Sequence, residues 1–225
     1  MPIAVIIPVL NEEKGIAATV DAVRRLGPDE LLVVDGGSTD HTRDICAELN
    51  VACMTSPRGR AAQMNFGAAR TKSAVLLFLH ADTRLPIIAF GDIRKAMSDP
   101  ACVGGRFDVQ LDGNKAMLRV VEKMISLRSR ISKVGTGDQA IFIRREVFNK
   151  IGGFQEIPLM EDIALSRAMK RAGKVACLRS RVITSARRWE MEGVWRTIFK
   201  MWTLKSLYLM GVSPVRLKRF YGDGR

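Results

Sequence analysis

Three short acidic segments have the residue types for chemistry. Asp35 ends the apolar run 31–34 and is followed by Gly36-Gly37-Ser38-Thr39-Asp40. A carboxylate there can accept hydrogen bonds from a base or a ribose, while the glycines let the backbone approach a ligand closely. The same residues would serve equally well as an Asp-Gly turn feeding a capped helix. His80-Ala81-Asp82 follows the run 75–79. Side chains two residues apart at a strand end point to one side, which suits a cation bridging two phosphates. Mg2+ and Mn2+ prefer hard oxygen donors, so Asp82 is the stronger metal ligand and His80 the weaker. A surface turn with a satisfied Asp also accounts for that tripeptide. Glu161-Asp162 opens a helix pattern, where the macrodipole favours carboxylates on structural grounds and also keeps one ionised, as a general base toward a hydroxyl must be.

Other chemistries lose support. No GxGxxG follows the first strand and no GxxxxGK[ST] occurs, against a dinucleotide-binding or P-loop enzyme. Cys46, Cys53, Cys102 and Cys177 form no CxxC pair, and His41 and His80 are the only histidines, so no structural zinc framework is expected.

The elements that must position these residues follow from hydrophobic patterning. Runs 3–7, 31–34, 51–54 and 75–79 are continuous and bounded by turn residues, as buried parallel strands are. Helical spacing marks 13–26, 41–49 and 60–70, with Asp40 as N-cap of the second. Strand and helix in alternation imply an α/β fold: a mostly parallel central sheet with helices on both faces and a Rossmann-like N-terminal half. Ligands on such sheets bind beyond the carboxyl ends of the strands, here 8–12, 35–40, 55–59 and 80–83. Further on, a strand at 103–110, a basic helix at 114–132, a strand at 140–144, a helix at 161–171 and a strand at 175–179 are expected. A last helix at 192–210 carries Trp195, Ile198, Phe199 and Trp202 at helical spacing. That row reads as a core face, with a bilayer interface as the second reading. One domain spanning 1–225 is the simplest organisation: a nucleotide-type half at 1–100, an acceptor-type half at 101–190, and a basic helical segment at 191–225.

The chain has 225 residues and a formal charge of +13, with 47% hydrophobic and 26% charged residues, which excludes a disordered or collagen-like protein. The charge is unevenly placed. Residues 1–163 hold 21 basic and 20 acidic side chains, whereas 164–225 hold 15 and 3. An anionic partner is implied: a phosphate-bearing small molecule or an anionic membrane surface. Nucleic acid is not expected, because no reader motif accompanies the charge. The N-terminus lacks the basic leader of a signal peptide, and no apolar window is long enough to span a bilayer. A reduced, cytoplasmic protein is expected, at most peripheral at the inner membrane surface.

Taken together, the motifs resemble those of family 2 glycosyltransferases. The resemblance is carried by Ile6-Ile7-Pro8-Val9-Leu10-Asn11-Glu12, Val33-Val34-Asp35-Gly36-Gly37-Ser38-Thr39-Asp40, Arg58-Gly59-Arg60 with Gln63-Met64-Asn65-Phe66-Gly67, His80-Ala81-Asp82, Gly152-Gly153-Phe154 and Glu161-Asp162, in the family's order over about residues 3–170. It implies a GT-A fold acting on a nucleotide-sugar donor with Mg2+ or Mn2+. Carried over by position, Pro8, Asn11 and Glu12 line the nucleotide pocket, Asp35 holds base or ribose, and Arg58, Gln63 and Asn65 lie beside the donor. Asp82 takes the place of the last Asp of the family's DxD, His80 replaces the first, and Asp162 falls on the catalytic base, with Glu161 adjoining it. Gly137, Asp138 and Gln139 lie toward the acceptor. Ser185-Ala186-Arg187-Arg188-Trp189 resembles in part the QxxRW of processive members, which would set Arg188 on the departing diphosphate and Trp189 toward the acceptor; a basic surface segment with one buried Trp is the alternative. The Gly-Asp-Gln, Met-Glu-Asp and Ser-Ala-Arg-Arg-Trp-Glu elements also resemble a small bacterial subgroup of transferases linked to arsenosugar biosynthesis. The expected reaction is inverting glycosyl transfer to a hydroxyl of a small-molecule or lipid-linked acceptor. A nucleotidyltransferase is the runner-up, although 8–14 lacks the glycine-rich phosphate loop it would need. A basic module binding a membrane surface or nucleic acid is the reading from a different class.

Overall fold

The computed structural model describes residues 1–221; residues 222–225, the end of the basic C-terminal segment, lie outside the described residues. The first four apolar runs become β1 (Ile3–Val9), β2 (Glu30–Asp35), β3 (Cys53–Thr55) and β4 (Val75–Phe78), connected by α1 (Ile16–Arg25), α2 (Thr42–Glu48) and α3 (Arg60–Arg70). Their pairings are all parallel. Every residue of β1 and β4 is buried. The cause is cover on both faces: Ile3, Val5 and Ile7 share a core with Ile16 and Val20 of α1, while Ala4 and Ile6 share another with Ala61 and Met64 of α3.

The second half adds β5 (Thr83–Arg84), α4 (Ala89–Met97), β6 (Cys102–Asp112), α5 (Ala116–Ser132), a 3-10 turn at Gly137–Gln139, β7 (Ile141–Arg144) and α6 (Arg145–Lys150). It continues with α7 (Glu161–Ala172), β8 (Lys174–Ser185), α8 (Arg187–Glu192), α9 (Val194–Leu209) and α10 (Pro214–Tyr221). The eight strands form one sheet in the order β3-β2-β1-β4-β7-β6-β8-β5. Strand β7 runs antiparallel between β4 and β6, β8 is parallel to β6, and short β5 closes the edge antiparallel to β8. The result is an α/β fold with a mostly parallel sheet, as expected.

Three expectations change. The helix start placed at Asp40 falls at Thr42, and His41 at the cap position makes no side-chain cap. Asp40 Oδ1 nevertheless accepts from the Thr42 N–H at 3.0 Å, and its Oδ2 accepts from the Glu13 N–H at 3.1 Å, so this carboxylate joins two loops as well as starting a helix. The helix expected at 192–210 is interrupted at Gly193, whose φ of +81° separates α8 from α9, and the helical segment therefore begins at Arg187. The row read as a core face is also wrong in direction: Trp195, Phe199 and Trp202 are exposed by 61, 67 and 59%, and only Ile198 turns inward.

Candidate active site at the carboxyl ends of the strands

The loops after β1 and β2 are tied to each other. The Asn11 N–H donates to Ser38 Oγ at 2.9 Å, and Asn11 Oδ1 accepts from the Thr39 N–H at 2.8 Å. The Glu12 N–H donates to Thr42 Oγ1 at 2.8 Å. Pro8 is buried in β1, where its missing N–H costs no ladder bond. Pairing with β4 ends at Ile6, and Pro8 faces the same edge two residues later. Asp35 is fully buried and accepts the N–H groups of Gly37 and Ser38 at 3.1 Å together with the Ser38 hydroxyl. Its carboxylate therefore builds the turn that shapes this corner.

Two amides that sequence reasoning set beside the donor have structural duties. Gln63 Nε2 donates to the carbonyls of Val9 and Val34 at 2.7 and 2.8 Å, clamping the ends of β1 and β2 to α3. Asn65 exchanges two 2.9 Å bonds with the backbone of Phe154, anchoring the Gly152-Gly153-Phe154 loop, where Phe154 stacks edge-on to Phe78. Arg58 is exposed in the loop between β3 and α3.

The chemistry-bearing residues meet one step further along the sheet. His80, Gly137, Glu161 and Asp162 line one cleft whose floor is Met64, Phe78, Ile141 and Phe154. The Gly137 N–H donates to Asp162 Oδ2 at 2.8 Å, and the Ile163 N–H donates to Asp162 Oδ1 at 2.7 Å. A Cβ on Gly137 would lie 2.6 Å from His80 Cε1 and Nε2, so a side chain there would displace the imidazole or the turn. Burial and Arg60 hold the His80 imidazole below its usual pKa, while Asp82, Asp138 and Asp162 pull the other way. Glu161 is buried and pairs with Arg60 Nε at 2.8 Å; burial pushes its carboxyl up, Arg60 opposes the shift and Asp162 adds to it. Its Oε2 has no hydrogen-bond partner among the described residues. The two neighbouring acids are thus differently engaged: Glu161 holds the Arg60 guanidinium, and Asp162 accepts two backbone N–H groups. Met160, just before them, carries a left-handed φ of 71°, a local strain of the kind functional sites store.

The remaining candidates divide. The Asp138 carboxylate accepts the Thr136 hydroxyl and lies within electrostatic reach of His80. Gln139 is fully buried and bonds Phe107 O and Ser129 Oγ at 3.1 Å, which makes it scaffold. Trp189 packs on the apolar cluster of Leu118 and Val121 and not in the cleft. Arg188 lies over the Tyr221 ring at 4.7 Å, within electrostatic reach of Arg60, Asp82 and Asp138. Sequence reasoning missed three cations. Arg60 was visible in Arg58-Gly59-Arg60, but Arg128 of α5 and Lys205 of α9, both within electrostatic reach of Asp162, carried no local signal. Burial brings the Lys205 ammonium down to about 8.

Among the described residues, no three or more His, Cys, Asp or Glu side chains gather to hold a metal ion by themselves. The exposed Asp82, whose Oδ1 accepts from Thr83 Oγ1 at 3.3 Å, still fits Mg2+ or Mn2+. These ions use one or two carboxylates and take their other ligands from water and substrate phosphates.

The chain is an α/β domain with acids and cations gathered beyond the carboxyl ends of a mostly parallel sheet. The glycosyl transferase family 2 model matches residues 4–154, and the chain belongs to that family. It is 29% identical over 204 residues to the O-antigen chain rhamnosyltransferase RfbN of Salmonella typhimurium (strain LT2), covering 78% of this chain and 63% of that protein. Two solved structures share the fold. S. aureus TarS (residues 1–349) superposes with a TM-score of 0.68 at 18% identity, covering 83% of this chain and 61% of that one. Mycobacterium tuberculosis glucosyl-3-phosphoglycerate synthase in complex with Mn2+ and UDP-glucose superposes with a TM-score of 0.61 at 20% identity, covering 80% and 69%. The chain spans less than two thirds of the length of both the rhamnosyltransferase and TarS.

Proposed function

We propose that this chain transfers a sugar from a nucleotide-sugar donor to an acceptor hydroxyl with inversion at the anomeric carbon. The observation that carries the reading is the cleft in which Asp162, held by the Gly137 N–H at 2.8 Å, stands with His80 beyond the carboxyl end of β4. Asp162 accepts the proton of the attacking hydroxyl, and its two backbone donors fix its orientation for that task. One carboxylate suffices, with no covalent intermediate, and this dictates inversion. Pro8, Asn11, Glu12, Asp35 and Arg58 contour the nucleotide pocket, with Gln63 and Asn65 bracing it from behind. Arg60 and Arg188 stabilise charge on the departing diphosphate. Asp82, with His80 as the weaker ligand, would hold Mg2+ or Mn2+, which when bound neutralises diphosphate charge. Gly137 and Asp138 border the acceptor, a small molecule or a lipid-linked hydroxyl, while Glu161 positions Arg60. Residues 1–225 act as one catalytic unit on the cytoplasmic side, residues 1–100 serving the donor and 101–190 the acceptor.

A thermal-shift screen of UDP-, GDP- and dTDP-sugars with Mn2+ or Mg2+ tests this. A ligand at 100 times its dissociation constant adds about 2.7 kcal/mol of stability, and EDTA abolishes the metal-dependent share of the shift. A flat screen across donors and metals overturns the reading.

A further inference from the structure

Along α5, Val120, Met124, Leu127 and Ile131 recur at helical spacing and all are exposed, Leu127 by 59% and Ile131 by 75%. Along α9, Trp195, Phe199, Trp202 and Leu209 do the same, each more than half exposed. The two helices are joined near their N-terminal ends through one apolar cluster. Val194 and Ile198 at the start of α9 pack against the cluster of Leu111, Leu118, Val121 and Ala186, to which the start of α5 contributes, and Lys205 further along α9 lies within electrostatic reach of Arg128 further along α5.

At 3.6 residues per turn, Val121 and Arg128 fall between the buried row of α5 (Leu118, Ser129) and its exposed row. Ile198 and Lys205 likewise fall between the buried row of α9 (Thr197, Leu204) and its exposed row. Around each axis the order is core, neighbouring helix, outside. Both exposed rows therefore lie outward of the cluster that joins the two helices, and together they make up an outer apolar face. Its inner side carries Arg128 and Lys205, which lie within electrostatic reach of Asp162, so the face adjoins the cleft.

Charge selects the occupant. Residues 115–133 and 187–221 hold 14 basic and 3 acidic side chains. Of the acids, Glu122 is buried against Arg119 at 3.0 Å and Glu192 pairs with Lys200 at 3.1 Å. A second copy would bring like charge against like. Exposed Trp and Phe beside Arg and Lys is the composition of helices that lie in the headgroup region of a membrane. We infer that the α5–α9 face docks on an anionic phospholipid bilayer, with α9 lying in the interface plane.

The test is sedimentation of the full chain with vesicles of phosphatidylglycerol and phosphatidylcholine, against vesicles of phosphatidylcholine alone. Binding to the anionic vesicles should exceed binding to the neutral ones at least tenfold. It should fall to the neutral level in a variant carrying Leu127→Ser, Trp195→Ser, Phe199→Ser and Trp202→Ser, with the thermal transition kept because all four are exposed. If that variant does not fold, quenching of wild-type tryptophan fluorescence by brominated lipid decides, and absent quenching overturns the proposal. No binding to either vesicle, or binding undiminished in the folded variant, also overturns it. So does a wild-type dimer that the variant converts to a monomer, because a second copy would then cover the face. Donor thermal shifts are read separately, so failure here leaves the transferase reading standing.

Discussion

The Gly137 amide and the Asp162 carboxylate, 25 residues apart in sequence, form a 2.8 Å hydrogen bond that joins the 3-10 turn after α5 to the first turn of α7. One carboxylate oxygen is fixed by that turn and the other by the N–H of Ile163. Asp162→Asn keeps the shape and removes the base. Turnover should fall by about 10²–10⁴-fold with donor affinity unchanged. Single-turnover kinetics beside a donor titration measure this, and near-wild-type turnover would reject Asp162 as the base.

Gly137→Ala tests the packing of that turn. The added methyl meets His80 at 2.6 Å, so the ring or the turn must move. Displacement of about 1 Å in such a site can cost up to about 100-fold in rate, and kcat/KM should drop on that scale while Tm changes little. In a His80→Ala background the same substitution should cost nothing further, and a double-mutant cycle reads that coupling.

Asn65→Leu removes both bonds to the Phe154 backbone. Leaving those groups unpaired costs about 2 kcal/mol, or roughly 4–8 °C in Tm for a chain of this size. Asn65→Asp keeps the acceptor but sets an anionic oxygen against the Phe154 carbonyl, so calorimetry at neutral pH should find a loss at least as large.

The Lys205→Met variant makes a pH-dependent prediction. The folded ammonium titrates near 8, against about 10.4 for an ordinary lysine. Between those values the unfolded chain binds more protons, so wild-type stability gains from this group as pH rises through the window. The variant should therefore melt higher than wild type at pH 7, and the difference should shrink toward pH 10. A difference constant with pH would mean that Lys205 is not held in its depressed state.

How much of this was legible depends on the range of the cause. The bounds of α3 are those read from the sequence, because Gly59, with φ of +136°, and the extended Thr71 punctuate it locally. The parallel strands were legible because burial on both faces leaves an unbroken apolar run. Strand β8 has twelve residues where five were expected, since most of its length is only partly covered and carries Arg179 and Arg181. The meeting of Arg128 and Lys205 at Asp162 depends on how α5 and α9 pack, which no local spacing encodes. The aromatic row of α9 shows the same limit: its period is visible, but periodicity is the same for a helix that turns the row inward and one that turns it out.

The antiparallel return of β7 also has a consequence for synthesis. Strand β4, Val-Leu-Leu-Phe, is buried once β7 pairs with it, yet β7 begins only at Ile141, after 62 intervening residues. At about 5–20 residues per second, the emerging chain presents an unpaired apolar edge for roughly 3–12 s after β4 is made. Chaperone demand during translation should therefore peak between the completion of β4 and the arrival of β7. A charge placed in β4 would relieve that demand only by destroying the centre of the finished sheet.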